Sequence, residues 1–155
     1  MLGGSGPPFV VHTFRAEDLV SVLKLVQRSL GEEIPYQFFL QMSTLRPEYC
    51  LVARDPNDNR VLGLIVGTKE AGHEGRVLVF AVDPQAQGMG VGRGLLRSLQ
   101  TSMAVEEIRQ VHLEVRADNA RAIDFYRRQG FEVTGIQERA YRDGQDAYTM
   151  AKPIR

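Results

Sequence analysis

Hydrophobic positions recur along this chain in two rhythms, every second residue and every third or fourth, and their order predicts seven strands and four helices. Phe9–Phe14 is β-branched and aromatic and reads as a first strand. Glu17-Asp18 then opens an amphipathic helix with Leu19, Val22, Leu23, Val26 and Leu30 on one stripe, closed by Gly31. A shorter helix follows Pro35 with Phe38, Phe39 and Met42. Tyr49–Arg54 and Val61–Thr68 are two strands joined by the turn-rich Asp55-Pro56-Asn57-Asp58-Asn59, an antiparallel hairpin. Gly72 and Gly75 mark the next turn, and Arg76–Val82 is so continuously apolar that it is expected to be buried on both faces, with Asp83-Pro84 as its stop. Val91, Leu95, Leu96, Leu99 and Met103 give the third helix its period. Val111, Leu113 and Val115 alternate with His112, Glu114 and Arg116 in a fifth strand. A helix from Asn119 to Arg128 stops at Gly130, and Phe131–Glu138 and Asp146–Ile154 close the chain as strands around Tyr141-Arg142-Asp143-Gly144.

Composition adds exclusions. At 155 residues, 43% hydrophobic and 25% charged, the chain is long enough for one real core, which excludes disordered and disulfide-scaffold readings. We expect a single domain over residues 9–155 behind a flexible leader of residues 1–8. Nineteen basic residues balance nineteen acidic ones, so nucleic acid is not an expected partner. No stretch approaches the roughly 20 apolar residues of a membrane span, and neither a membrane nor a targeting segment is implied, which places the expected location in the cytoplasm. His12, His73 and His112 are scattered, and Cys50 is the sole cysteine, so no metal site is implied. Cys50, inside a strand, reads as a small buried hydrophobe rather than an acyl-carrying nucleophile.

The most informative stretch is Gln87-Gly88-Met89-Gly90-Val91-Gly92, a glycine-rich loop between a strand and a helix. The first N–H groups of a helix lack intrahelical partners and carry the positive end of its dipole, so the loop suits a pyrophosphate. Glycines that only permit tight turns or close helix packing are the competing reading. A Walker A loop is excluded because Arg93, not Lys-Ser/Thr, follows Gly92. The dinucleotide fingerprint G-x-G-x-x-G also fails, since Arg93 or Leu95 stands where its third glycine belongs.

What remains, Gln87-x-x-Gly90-x-Gly92 after Val82-Asp83-Pro84, resembles the signature of the GNAT family of acetyl-coenzyme A dependent N-acetyltransferases. Leu113-Glu114-Val115-Arg116-x-x-Asn119-x-x-Ala122-Ile123-x-x-Tyr126-x-x-x-Gly130-Phe131 is similar to the second half of their cofactor site, in the form found in N-terminal protein acetyltransferases. Asp143-Gly144-Gln145-Asp146-Ala147-Tyr148-x-Met150 resembles their final hairpin. Leu30-Gly31-Glu32-Glu33-Ile34-Pro35-Tyr36 resembles the early segment of archaeal enzymes related to the NatA catalytic subunit, better than that of the bacterial RimI-like enzymes. The resemblance covers nearly the whole chain from Phe9. It implies an α/β GNAT fold: a mixed, mostly antiparallel seven-stranded sheet, strands four and five splayed, with helices on both faces.

The resemblance also assigns roles. Backbone of Phe80, Ala81 and Val82 pairs with the pantetheine arm of acetyl-coenzyme A, and the amides of Gln87, Gly88, Met89, Gly90, Val91 and Gly92 meet its pyrophosphate. Asn119 hydrogen-bonds the same arm, and a plain helix cap is equally open to it. Tyr126, two turns on from Asn119 and on the same face, becomes the acid for the departing thiolate; packing on the sheet is its alternative. Glu114, in an apolar strand, is the water-relayed base, and Arg116 two residues on is the partner expected if it is only paired. Glu32 is a second candidate base or orienting group, or a solvated acid. Tyr141 resembles one of two adjacent tyrosines that hold the substrate peptide, and Tyr36 or Phe38 can line the same mouth. The second tyrosine is Ala140 here, and Gly31, Glu33 and Ile34 also depart from the family pattern, which bears on the peptide's first-residue preference.

The acceptor implied is the α-amine of a protein N-terminus. An α-amine titrates near ~7.8 and a lysine near ~10.4, so deprotonating lysine costs about 3.5 kcal/mol more, and a modest carboxylate base suits the former. Direct transfer in a ternary complex is expected. A small amine, a protein lysine, or coenzyme A binding without turnover are the other acceptors and functions open to such a chain. A ribosome or an auxiliary subunit as partner is left open.

Overall fold

The computed structural model describes residues 8–154, so all but Pro8 of the expected leader lies outside the described residues. Its elements are β1 (Val10–Thr13), α1 (Leu19–Leu30), α2 (Tyr36–Leu45), β2 (Cys50–Arg54), β3 (Val61–Glu70), β4 (Glu74–Val82), α3 (Val91–Val105), β5 (Gln110–Arg116), α4 (Ala120–Arg128), β6 (Glu132–Gln137) and β7 (Ala147–Pro153). The strands form a seven-stranded sheet in the order β1-β2-β3-β4-β5-β7-β6. It is mostly antiparallel, with β4 and β5 parallel, as the resemblance implies. Contacts divide the chain into two compact units, residues up to Gly67 with Val79–Ser102, and Thr68–Leu78 with Met103 onward.

In the first unit, β1 pairs with β2 from Val10↔Arg54 to Thr13↔Leu51, and β2 pairs with β3 with an irregularity at Ala53/Arg54. Val22, Leu25 and Val26 of α1 and Phe39 of α2 are buried against Val52, Leu64 and Val66. The glycine at 31 ends α1 in the left-handed region (φ 67°), its N–H donating to the Gln27 carbonyl. Ahead of α1, Ala16–Asp18 forms a 3-10 turn, and the fully buried Asp18 accepts from the Arg15 amide and pairs with Arg54. α3 lies close to the sheet because Gly63 has no side chain: a Cβ there would stand 2.8 Å from Leu95 and 2.9 Å from Val91.

In the second unit, β5 and β7 pair over their full length, from Gln110↔Pro153 to Arg116↔Ala147, and β7 continues onto β6. Val111, Leu113 and Val115 are buried, as their alternation predicts. The parallel ladder of β4 with β5 is short. Its last pair among the described residues is Arg76↔His112, although β4 runs on to Val82 and β5 to Arg116.

Two expectations about β4 need correction. Gly75 is not in the turn; it is the buried second residue of the strand, where a Cβ would lie 2.8 Å from the Met103 sulfur. Nor is β4 covered on both faces. Gly75, Val77, Val79 and Ala81 are buried, while Arg76, Phe80 and Val82 are half-buried and Leu78 is exposed. The apolar run therefore reflects an apolar row left partly open, not a second covered face.

Candidate active site

The candidate residues fall into one group in each unit. In the first, the end of β4 is pinned from several directions before the glycine loop begins. The Asp83 amide donates to the Leu62 carbonyl at 2.8 Å. Its buried carboxylate accepts from Arg28 Nη2 at 2.8 Å and from the Gln85 amide at 2.9 Å, which closes the turn at Pro84. Ser29 Oγ donates to the Val82 carbonyl at 3.2 Å. Asp83 was read from the sequence only as part of the Asp83-Pro84 stop, and the pinning residues Arg28 and Ser29 were not singled out. An Asp-Pro that opens a turn is the signal for Asp83, and its α1 partner Arg28 is non-local.

Beyond that anchor, Gln87–Gly90 makes a turn with φ of 88° at Gly88 and 83° at Gly90. A Cβ at Gly88 would meet nothing within 4 Å, and at Gly90 only Arg93 Nη2 at 3.7 Å. The glycines are thus required by backbone conformation and leave open space over the loop. The Gly94 amide donates to the Gly90 carbonyl at 2.9 Å, so Gly90 caps α3 and the amides of Val91, Gly92 and Arg93 are the first-turn donors without intrahelical acceptors. Such a cradle fits a pyrophosphate. In the same unit Glu32 is exposed in the link between α1 and α2, and Tyr36, at the start of α2, is 50% exposed. Cys50 is fully buried and its thiol is pushed up to about 12, chiefly by burial, which removes it as a nucleophile at neutral pH.

The second unit holds the other group. Glu114 points to the less covered face of β5 with its side chain 51% exposed. Its partner is Arg76 Nη1 at 3.3 Å, and Arg76 Nε also reaches Glu70 at 3.0 Å. The expected Arg116 is not its partner. Arg116 turns instead to Asp118 and Asp143, while the parallel ladder sets Arg76 beside His112, one step before Glu114 on the same face. His112 Nε2 in turn lies 2.5 Å from Glu74. Arg76 was missed because strand partnership, not sequence spacing, brings it to Glu114.

Asn119 caps α4, its Oδ1 accepting from the Ala122 amide at 3.2 Å. The cap uses the carbonyl oxygen only, so the amide nitrogen's two donors are available to a ligand. Tyr126 packs edge-on against Phe125 and Phe131, with ring centroids 5.5 and 5.7 Å away, and burial pushes its phenol up to about 12. Tyr141 lies in the β6–β7 loop with the Arg116 guanidinium 4.7 Å over its ring. Among the described residues no group of three or more His, Cys, Asp or Glu side chains is placed to hold a metal, and no helix is long and apolar enough to cross a membrane.

Residues 17–131 match the acetyltransferase (GNAT) family, and the chain belongs to it. Within that family it is similar to an N-alpha-acetyltransferase of Sulfurisphaera tokodaii, 30% identical over 96% of this chain and 95% of the relative. Among solved structures it is similar to Ard1 from Thermoplasma volcanium (34% identity, TM-score 0.88, 96% of this chain and 99% of that one). It is also similar to Chaetomium thermophilum Naa20 solved with a bisubstrate analogue (29% identity, TM-score 0.84, 94% and 86%). The chain is an acetyl-coenzyme A dependent N-acetyltransferase by this membership.

Proposed function

We propose that the protein acetylates the α-amine of protein N-termini by direct attack within a ternary complex. The observation that carries this reading is near full-length similarity to a relative named for that activity, combined with the Gly88–Gly92 cradle and a half-exposed Glu114. Acetyl-coenzyme A supplies the activated acetyl thioester. Amides of the Gln87–Gly92 loop take its pyrophosphate, those of Val91 and Gly92 foremost because the Gln87 and Met89 amides already donate to the Pro84 and Ala86 carbonyls, and backbone of Phe80, Ala81 and Val82 takes the pantetheine arm. The half-buried side chains of Phe80 and Val82 leave apolar surface that such an arm would cover. Asn119 adds a side-chain donor.

Glu114 draws a proton, through water, from an amine that is already partly neutral near pH 7.8. Arg76 holds that carboxylate in place. Tyr126 stays protonated and donates a hydrogen bond to the departing sulfur as charge develops on it. A phenol at about 12 gives its proton fully to a thiolate of ordinary pKa, about 8.5, only at a cost of about 5 kcal/mol, so the hydrogen bond is its larger contribution. Glu32 orients the incoming amine, and Tyr36 and Tyr141 flank the substrate chain. A cytoplasmic location is part of the proposal, since acetyl-coenzyme A and newly made chains meet there.

Steady-state kinetics of Glu114→Gln with an N-terminally free peptide test the assignment. We expect kcat to fall about 10²-fold with the acetyl-coenzyme A KM near that of the wild type, in the range of a lost general base. Wild-type kcat in this variant would remove Glu114 from the mechanism. Thermal stabilisation by coenzyme A with no turnover on any amine would leave a binding module instead.

A further inference from the structure

Arg116 is the most heavily engaged side chain at the end of β5. Its guanidinium makes two forks: Nε and Nη2 donate to the Asp118 carboxylate at 3.1 and 3.2 Å, and Nη1 and Nη2 to Asp143 at 3.4 and 2.6 Å. These bonds fix the plane of the group, and the face of that plane covers the Tyr141 ring at 4.7 Å. The partner acids are half exposed, at 48% for Asp118 and 56% for Asp143, a setting in which ion pairs add little to folding stability. Their consequence is therefore geometric.

Asp143 and Tyr141 belong to one closed turn. The Tyr141 amide donates to the Gln145 carbonyl, the Gly144 amide returns to the Tyr141 carbonyl, and Asp143 Oδ1 accepts from the Gln145 amide at 3.1 Å. Gly144 takes a φ of 88° that the turn needs. A second tie runs beside the first, from the Ala117 amide to the Asp146 carbonyl at 2.9 Å. The rigid end of β5 thus grips the loop by one side-chain clamp and one backbone bond.

We infer that Arg116 is a positioning residue for substrate: by clamping Asp143 and stacking on Tyr141 it holds the β6–β7 loop where Tyr141 meets the acceptor peptide. This rests on the reading of Tyr141 as a peptide contact. The clamp acts on peptide capture and not on acetyl transfer itself.

The test is steady-state kinetics on the full chain with a free-amine peptide and acetyl-coenzyme A as varied substrates. Arg116→Gln and Asp143→Asn are each expected to raise the peptide KM about five- to twentyfold, with the acetyl-coenzyme A KM and kcat within about twofold of wild type. Tyr141→Ala is expected to do the same, and adding Arg116→Gln to it should cost nothing further. Asp143→Asn lies on an exposed turn and serves even where Arg116→Gln does not fold. A peptide KM raised by Tyr141→Ala but unmoved by both Arg116→Gln and Asp143→Asn would overturn the positioning role. So would additive effects in the double variant. An unmoved peptide KM in Tyr141→Ala would instead overturn the reading of Tyr141 as a substrate contact.

Discussion

Tyr126 sits edge-on to Phe125 and Phe131, and that burial moves its phenol from an ordinary 10 to about 12. A group that must donate a hydrogen bond loses its effect as pH rises through its pKa, so the loss here falls beyond the usual assay range. The rising limb of the profile belongs to the amine, which must shed its proton near ~7.8. We therefore expect kcat/KM to climb from about pH 6 to about pH 9 and stay level to about pH 10.5. A decline centred near pH 10 would show a solvated tyrosine. Tyr126→Phe should keep the shape of the profile and lower its plateau about 10²- to 10³-fold, the worth of one donor aimed at developing charge.

At the scale of elements, glycines serve two different ends. Gly63 on β3 lets α3 approach, and a methyl there would press on Val91, Leu95 and the Ala81 carbonyl. Gly88 and Gly90 carry positive φ and open space. Gly75→Ala, whose methyl would press on Met103 and Ile108 instead, should destabilise the fold by about 1–3 kcal/mol in chemical denaturation without a specific effect on acetyl-coenzyme A KM. Gly90→Ala should strain a left-handed position at a cost of about 1–2 kcal/mol and raise that KM as the cradle shifts. Equal effects of the two on KM would deny the loop its special role.

These elements also show what a sequence discloses. The glycine loop, its helix and the alternation of β5 were legible because short-range backbone rules govern them. The open face of β4 was not, since Leu78, Phe80 and Val82 are as apolar as a buried row. The partner of Glu114 was not either: Arg76 reaches it through a parallel register that no local pattern encodes. Gly75 was read as a turn because a glycine needed for close packing against Met103 looks the same in sequence as one needed for a bend.

For the whole molecule, the seven-stranded sheet, the family match over residues 17–131 and the similarity to N-alpha-acetyltransferases converge on one reaction class. The acceptor is the claim on which the rest depends. The direct measurement is the position of the acetyl group after the purified protein and acetyl-coenzyme A act on a peptide bearing both a free α-amine and an internal lysine. Fragmentation mass spectrometry reads that position. The account predicts acetyl on the N-terminal residue alone, because the lysine amine is harder to deprotonate by about 3.5 kcal/mol. Acetyl on the lysine, with the α-amine left free, would contradict it.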